Sequence, residues 1–482
     1  MCSAPTRAAS LARPTAIGYL ARTVAAGRNA RDRQAMADRP GTDMRSTDDR
    51  DGPRIHSGEW RAVALSFAYF FCVLAAYYVI RPVRDQLSAA VGSTQLPWFY
   101  AATFVATLAL TPVFAWLVSR YPRRIVVPIV YGFFIACLLG FVPLFTAHGM
   151  LSPRALGTVF FVWISVFNLF VVSVFWSFMA DIWSNDQARR LFPIIALGGT
   201  AGAVAGPLLT RQLVSIIGVP PLLVVSASLL GLALVCVALL GKWARTQGAR
   251  RHEAGHEAAV GGGMFEGLKQ IFANPFMRNM ALLLLLGDCI GTINYALVID
   301  YSGMTFTDAI SRTRFAANLD LATNTLQVIL QLTLTRWILT RYGAAPAIAI
   351  WATAAVVVLL IVLFSANPYV PVIGVMPWVA IALIVSRSLA YGMLGPARES
   401  LFTRVPRSER YKGKNAVDTA VWRFGDLSVA LSMNGLRVLG VAGAGFAAFS
   451  ATAAAVAGVL GWRLARRVEA KVDAIPAVAA AP

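Results

Sequence analysis

Apolar blocks long enough to cross a bilayer recur along most of the chain, and they constrain its fold more than any other feature. A helix needs roughly 20 apolar residues to span the hydrocarbon core of a membrane. Twelve such blocks occur, at 61–80, 96–119, 124–145, 156–180, 191–216, 220–241, 277–300, 314–340, 344–365, 371–396, 415–437 and 441–464. Since 57% of the residues are hydrophobic and only 14% are charged, the sequence predicts an all-α, polytopic membrane protein with twelve transmembrane helices.

A polar stretch at 242–276 divides the twelve blocks into two sets of six. The first set contains WLVSRY at 116–121, and the second contains the similar WILTRY at 337–342. This layout resembles that of major-facilitator transporters, in which two parallel six-helix repeats meet around a substrate site near the bilayer midplane. We therefore expect a disordered cytoplasmic tail at 1–58, a six-helix bundle at 59–241, a cytoplasmic linker at 242–276, a second six-helix bundle at 277–465 and a cytoplasmic tail at 466–482.

The chain carries a formal net charge of +20, and its arginines fall between the apolar blocks rather than along one soluble face. Alternate connections are basic, such as SRYPRR at 119–124 and SNDQARR at 184–190, whereas the connections between them are nearly uncharged. The positive-inside rule then predicts a multi-pass protein of the cell inner membrane with both termini cytoplasmic. Because membrane topology explains the basic charge, we expect the lipid bilayer and a small solute as partners and no nucleic acid.

One short motif matches a zinc site but lacks the surroundings of one. HEAGH at 252–256 has the H-E-x-x-H spacing in which two histidines bind zinc and the glutamate acts as a base. It lies in the polar linker without an apolar scaffold, so a chance match in a solvated segment is the simpler interpretation. The five cysteines are scattered and have no C-x-x-C spacing. We expect no metal, no cofactor and no enzymatic activity.

The first apolar block ends in AYYVIRPVRDQL, which brings charge to the outer end of the first helix. Tyr77, Arg81 and Arg84 are spaced i, i+4 and i+7, so they share one helical face. Paired guanidinium groups suit phosphate and carboxylate ligands well, which makes Arg81 and Arg84 candidate solute-binding residues. The alternative is that both arginines snorkel to the lipid headgroups, with Arg81 paired to Asp85.

The eighth block carries four polar side chains at spacings of 4, 3 and 4 residues, which places them on one stripe of a helix. They are Asp320, Asn324, Gln327 and Gln331. Such a stripe faces protein or water and not lipid. It either lines the solute path, with Asp320 as a coupling group, or joins helices by structural hydrogen bonds.

Other polar groups within the blocks are candidates because burying them in hydrocarbon costs free energy. Arg387 lies in the middle of the tenth block, too deep for easy snorkelling, and we assign it to the solute together with Asn168 of the fourth block. Asp288 of the seventh block either carries a coupling proton or pairs with an arginine. Asp418, Arg423 and Asp426 of the eleventh block either form a structural network of local pairs or serve transport, with Asp418 as a coupling group.

Small residues repeat every four positions in LGGTAGAVAGP of the fifth block, at Gly198, Gly202 and Gly206. Glycines at this spacing let a neighbouring helix approach closely, and we assign them to packing.

Three stretches resemble the ATP:ADP antiporter family, and more closely its major-facilitator-like bacterial branch. VIRPVRDQL resembles the first-helix motif L-R-x-x-K-D-x-L, with Arg81 and Arg84 on the family's Arg and Lys. FWSFMADIWSNDQARRLFPIIALGGTAG resembles F-W-x-F-A-N and the basic motif after it, which implies a solute-binding role for Trp176. YKGKNAVD resembles K-G-K-A-A-I-D, which places Lys412, Lys414 and Asp418 on the family's Lys, Lys and Asp.

The chain departs from that family where a helix-four glutamate is expected, since Trp163, Ile164 and Ser165 stand there. The resemblance therefore implies the fold and a basic translocation path more firmly than ATP:ADP exchange. We expect a secondary-active transporter that works by alternating access on an anionic, phosphorylated or nucleotide-like solute such as ATP or ADP. The alternatives are a proton-coupled exporter of small organic molecules and a non-transporting membrane sensor or assembly factor with the same fold.

Overall fold

The computed structural model describes residues 55, 58–147, 152–246, 273–374, 376–403 and 421–473. Three of the candidate residues, Lys412, Lys414 and Asp418, lie outside this part of the chain, as does the HEAGH motif at 252–256. All described residues belong to one compact unit.

The described residues of the N-terminal half form six helices. They are α1 (Trp60–Val91), α2 (Leu96–Arg120), α3 (Arg123–Thr146), α4 (Pro153–Ile182), α5 (Asn185–Ile217) and α6 (Pro220–Thr246). A single 3₁₀ turn, Ser93–Gln95, joins α1 to α2.

Six further helices are described in the C-terminal half, and two of them include a π-helical turn. They are α7 (Pro275–Thr305), α8 (Ala309–Leu330, the π turn Gln331–Thr335 and Arg336–Tyr342), α9 (Ala344–Phe364), α10 (Trp378–Leu389, the π turn Ala390–Leu394 and Gly395–Phe402), α11 (Trp422–Val438) and α12 (Gly443–Asp473). Two short antiparallel strands, β1 (Pro371–Ile373) and β2 (Met376–Pro377), precede α10.

Each apolar block of the sequence overlaps a helix in the described part of the chain, which confirms the all-α, polytopic fold class. Ten of the described helices are long and apolar enough to cross a membrane. The other two are α8, which carries Arg312, Arg314 and Asp320 among its apolar residues, and α11, whose described part is 17 residues long. The tenth block was predicted to be helical from residue 371, but its first residues form the strand pair.

The first helix is longer than its apolar block. The prediction that Arg81 and Arg84 mark its outer end is wrong, because α1 continues through Pro82 to Val91. Val83, Leu87 and Ala89 in this extension are buried, so packing within the protein holds the additional turns. The two arginines therefore lie inside the bundle and not at a headgroup boundary.

Contacts between helix ends define the two ends of the bundle, and we call the end at which α1 begins proximal and the opposite end distal. At the proximal end, Glu59 accepts a hydrogen bond from Gln187 Nε2 over 2.8 Å and pairs with Arg190 over 3.3 Å, which ties α1 to α5. Glu469 of α12 accepts a hydrogen bond from the first backbone N–H of α9, that of Ala344, over 2.8 Å. The carboxylate thereby satisfies a backbone donor that has no partner within its own helix.

The glycine repeat of α5 packs directly on α1, as predicted. A Cβ atom added at Gly198, Gly202 or Gly206 would collide with the α1 backbone, at Phe67, Phe71 and Ala75 respectively. Thr210, one turn further on α5, donates a hydrogen bond to the carbonyl of Val79 over 2.8 Å. This close approach fixes the position of α1, and with it the face that carries Arg81 and Arg84.

We expect Gly202→Ala to lower the stability of the protein by about 1–3 kcal/mol, the usual cost of overpacking a well-packed contact. The matched control is Gly231→Ala on α6, where a Cβ would meet nothing within 4 Å. This control should leave stability unchanged or slightly raised, since alanine favours a helix over glycine. Unfolding of the detergent-purified variants, followed by circular dichroism, measures both, and equal stabilities would contradict the packing assignment.

Candidate functional site

A cavity of about 380 Å³ lies between the two halves, with walls from α1, α2, α4, α7, α9, α10 and α11. Five guanidinium groups line it: Arg81, Arg84, Arg387, Arg398 and Arg423. The predicted face of α1 is confirmed, because Tyr77, Arg81 and Arg84 all line this one cavity. Arg387 joins them from the opposite half. The snorkelling interpretation does not hold for the α1 arginines, since Arg81 is only 9% exposed.

Aromatic rings form much of the remaining wall. They are Tyr77, Tyr100, Phe161, Tyr295, Trp351, Tyr391 and Trp422. The Arg84 guanidinium lies 5.0 Å from the ring centroid of Phe161, and that of Arg387 lies 5.7 Å from the ring of Tyr295. At these distances a cation is attracted to the ring face. The cavity therefore offers both cationic forks and flat apolar surfaces to a solute.

Charged side chains at and beside the cavity join the two halves. Arg81 of α1 pairs with Asp320 of α8 over 3.3 Å. Arg84 donates two hydrogen bonds to Asp85 Oδ1, over 2.9 and 2.7 Å, and the Tyr295 hydroxyl of α7 donates a third over 2.7 Å. We call these five residues, Arg81, Arg84, Asp85, Tyr295 and Asp320, the charged layer. Asp85 therefore pairs with Arg84, and not with Arg81 as the snorkelling alternative assumed.

A second acidic group lies on the proximal side of the charged layer. Thr292 donates a hydrogen bond to Asp426 Oδ1 over 3.0 Å, and Arg423 lies 3.9 Å from the other oxygen of that carboxylate. Asp288 Oδ2 is buried and has no hydrogen-bond partner among the described residues. Asp288 and Asp426 interact electrostatically across α7 and α11, so two carboxylates share one part of the cavity wall.

This cavity is not lined by four of the predicted solute-binding residues that the structure describes: Asn168, Trp176, Asn324 and Gln327. Trp176 packs between Phe70 and Phe192, with centroid distances of 5.4 and 5.3 Å, and belongs to the aromatic core of the N-terminal half. Asn168 lies half-buried on α4, and Gln327 lies half-buried on α8.

Asn324 donates a hydrogen bond to the Ala203 carbonyl of α5 over 2.6 Å, so it joins the two halves. Gln331 donates to the carbonyl of Tyr391 over 3.2 Å and joins α8 to the π turn of α10. The polar stripe of α8 thus faces protein, as predicted, but it packs against neighbouring helices and only Asp320 reaches the charged layer. The stripe is therefore mainly a source of interhelical hydrogen bonds.

Several cavity residues have little signal in the sequence. Arg398 lies three turns beyond Arg387 on α10, and this i, i+11 spacing indicates a shared face. Tyr100, Phe161, Trp351 and Trp422 are aromatic residues within apolar blocks, where their neighbours fill the core in the same way. Only their three-dimensional position distinguishes them.

The halves also touch at the distal end, beyond the charged layer. Arg437 of α11 pairs with Asp300 of α7 over 2.8 Å and donates a hydrogen bond to Ser93 Oγ over 2.6 Å. The Ser93 backbone N–H donates to Asp300 Oδ1 over 3.1 Å, and Asn434 Nδ2 donates to the Thr94 carbonyl over 2.9 Å. We call these five residues the distal latch. The distal latch joins the two halves on the distal side of the charged layer.

The sequence matches the profile of the Major Facilitator Superfamily over residues 65–425. It is 20% identical to "ADP,ATP carrier protein 1" of Chlamydia trachomatis over 451 residues, which cover 80% of this chain and 84% of the carrier.

Among solved structures, the nucleoside transporter NupG superposes with a TM-score of 0.58 at 15% identity, covering 86% of this chain and 99% of its own. The xylose transporter XylE of E. coli in an inward-open conformation gives a TM-score of 0.56 at 13% identity over the same shares of the two chains. At these identities the structural likeness concerns the fold alone.

We expect Tyr295→Phe to destabilise the protein by about 1–3 kcal/mol, because Asp85 loses a hydrogen bond donated to its buried carboxylate. Tyr121→Phe is the control, since Tyr121 is 42% exposed near the proximal end. Thermal unfolding in detergent measures both variants. Equal melting temperatures for the two would show that the contact between Tyr295 and Asp85 does not hold the halves together.

Proposed function

The chain belongs to the major facilitator superfamily and is a multi-pass membrane transporter, and from this premise we propose that its solute is a small organic anion, phosphorylated or nucleotide-like. The observation that carries the proposal is the meeting of five guanidinium groups on the wall of one cavity between the halves. Arginine forks bind phosphate and carboxylate oxygens in pairs, and they bind more strongly where water is excluded.

The charges of the cavity are unevenly compensated. Arg84 donates two hydrogen bonds to Asp85, and Arg423 lies near Asp426. Arg387 lines the cavity beneath the ring of Tyr295, with no carboxylate within 4 Å among the described residues. A solute anion would therefore gain most at Arg387 and at the free side of Arg81.

The aromatic wall supports a solute with a flat ring as well as a negative charge. Tyr391 and Trp422 line the cavity within the same part of the wall as Arg387 and Arg423. A nucleotide whose base stacks on such rings would direct its phosphate groups toward the guanidinium groups. The similarity to an ADP,ATP carrier supports the same solute class.

Arg81, Arg84 and Arg387 are the residues we propose for contact with the anion. We further propose that Lys412 and Lys414, in the basic connection before α11, attract phosphate groups from the proximal side. The roles predicted for Asn168, Trp176, Asn324 and Gln327 have no support from their positions away from the cavity, and we do not carry them into the proposal.

Transport by alternating access requires the cavity to face each side of the membrane in turn. We propose that the proximal end is cytoplasmic, with both termini there and the protein in the cell inner membrane, because the basic connections lie at that end. The conformation described here is then closed toward the outside by the distal latch. Opening to the outside requires the pair between Arg437 and Asp300 to part.

Uptake of radiolabelled ADP, ATP and inorganic phosphate into proteoliposomes tests the solute class. We expect Arg387→Gln to reduce uptake about tenfold or more, because losing a charge-assisted contact costs roughly 1.5–3 kcal/mol and 1.4 kcal/mol corresponds to a factor of ten. Arg245→Gln is the control, since Arg245 is exposed at the proximal end of α6. If no nucleotide or phosphate ester shows saturable uptake, or if Arg387→Gln transports normally, the proposal fails.

A proton-coupled exporter of small organic molecules is the second candidate, and one observation favours it. The buried Asp288 Oδ2 without a partner, beside the carboxylate of Asp426, is an arrangement in which one proton serves two acids. We propose Asp288 as the coupling group of this candidate, with Asp418, which lies outside the described residues, as a further candidate.

The dependence of transport on an imposed pH gradient separates the two candidates. If coupling resides at Asp288, Asp288→Asn should abolish the stimulation of transport by the pH gradient, because the neutral amide cannot release a proton. Exchange of solute at equal pH on both sides of the membrane should remain intact. Asp186→Asn, at the proximal start of α5, is the control. If the rate of transport by the wild-type protein does not depend on the pH gradient, the proton-coupled exporter is excluded.

A further inference from the structure

We infer that Asp320 is a built-in counter-ion of the solute site, which neutralises Arg81 in the empty transporter and gives way to the negative charge of the solute. The inference rests on the proposed anion transport and adds a transport mode to it. A transporter with such a counter-ion changes conformation both with and without solute. It therefore performs net transport and is not restricted to one-for-one exchange.

The contact between Arg81 and Asp320 is close but incomplete. The two residues are 9% and 2% exposed, and one guanidinium nitrogen lies 3.3 Å from one carboxylate oxygen. Arg81 Nε and Asp320 Oδ2 are both buried and have no hydrogen-bond partner among the described residues. A bidentate pair would use both atoms. The contact with Asp320 therefore engages only one nitrogen of the guanidinium group, and Arg81 also lines the solute cavity, where a second anion can approach it.

The neighbouring pair in the charged layer does not have these properties. Arg84 and Asp85 are adjacent on α1, and they share two hydrogen bonds to which Tyr295 adds a third. Because both charges belong to one helix, their pairing persists however the halves move. Arg81 and Asp320 belong to opposite halves, so movement of the halves alters their distance. Asp320 is therefore the exchangeable counter-ion and Asp85 the permanent one.

Conformational change makes a counter-ion necessary. Between its two open states the transporter closes around the cavity, and water no longer solvates the guanidinium groups. An unpaired charge in a closed apolar site is costly, and removing one partner of a buried pair is strongly destabilising. Either the solute or Asp320 must therefore compensate Arg81 during the closed state.

Space beside Asp320 can accommodate its carboxylate when a solute displaces it from Arg81. A small cavity of about 20 Å³ lies beside Asp320 and is lined by Tyr295, Ser302 and Arg387 as well. This volume suffices for roughly one water molecule. When a solute anion binds the Arg81 guanidinium, the Asp320 carboxylate can turn toward Ser302 without leaving the protein interior.

The test compares net transport with exchange in proteoliposomes, with radiolabelled ADP as the probe. Asp320→Asn leaves Arg81 uncompensated only when the solute is absent. We expect net efflux into solute-free buffer to fall at least roughly tenfold, since breaking a buried pair costs several kcal/mol. Exchange of internal for external ADP should remain within about twofold, because the solute then compensates Arg81 in both directions.

Two further variants control for charge and for folding. Asp308→Asn, whose side chain accepts a hydrogen bond from the Ser311 backbone N–H over 2.7 Å at the distal start of α8, removes an acid outside the cavity and should change neither flux. The double variant Arg81→Gln with Asp320→Asn removes both charges, and because Arg81 is also a proposed solute contact, it is compared only in the solute-free measurement below. Equal loss of both fluxes in Asp320→Asn would overturn the inference.

A measurement without solute keeps the inference testable if ADP is not transported. Spin labels at Trp98 of the N-terminal half and Met304 of the C-terminal half, both exposed near the distal end, report opening of that end in a cysteine-free background. The ligand-free parent protein should populate a distal-open distance that is about tenfold rarer in Asp320→Asn and restored in the double variant. Equal populations in all three would overturn the counter-ion, whereas failure of ADP uptake alone would overturn only the proposed solute.

Discussion

The pairing of buried guanidinium groups with carboxylates is the interaction on which the site depends. A guanidinium group cannot be left uncompensated in an apolar interior, so the position of each arginine dictates where an acid or a solute must lie. Arg81 meets Asp320 and Arg84 meets Asp85, with Tyr295 joining the second pair from the other half. The same contacts that hold the halves together thus surround the place where a solute anion would bind.

Helix α1 links this site to the packing of the N-terminal half. One face of α1 lies against the glycines of α5 so closely that no side chain fits at Gly202, while another face carries Arg81 and Arg84 into the cavity. The close packing keeps these arginines on a rigid element. Their partners on α7 and α8 belong to the other half, so relative motion of the halves changes the environment of the arginines and not the position of α1 within its own half.

Much of this arrangement follows from sequence patterns, and some of it does not. Helical spacing placed Tyr77, Arg81 and Arg84 on one face, and the depth of Arg387 in its block indicated a position inside the protein; all four line the cavity. Spacing within one helix cannot identify partners on other helices, so the pairing of Arg81 with Asp320 was not predictable from either segment. For the same reason Trp176 matched a family motif and yet lies in the core, because a motif match carries no information on which face turns toward the cavity.

The central claim is that a solute anion enters the charged layer and competes with Asp320 for Arg81. A density map of the purified protein saturated with ADP, obtained by electron cryo-microscopy, examines this claim directly. The account predicts phosphate oxygens within hydrogen-bonding distance of Arg81 and Arg387, with Asp320 turned away from Arg81. Phosphate groups bound elsewhere, with the contact between Arg81 and Asp320 unchanged, would contradict it.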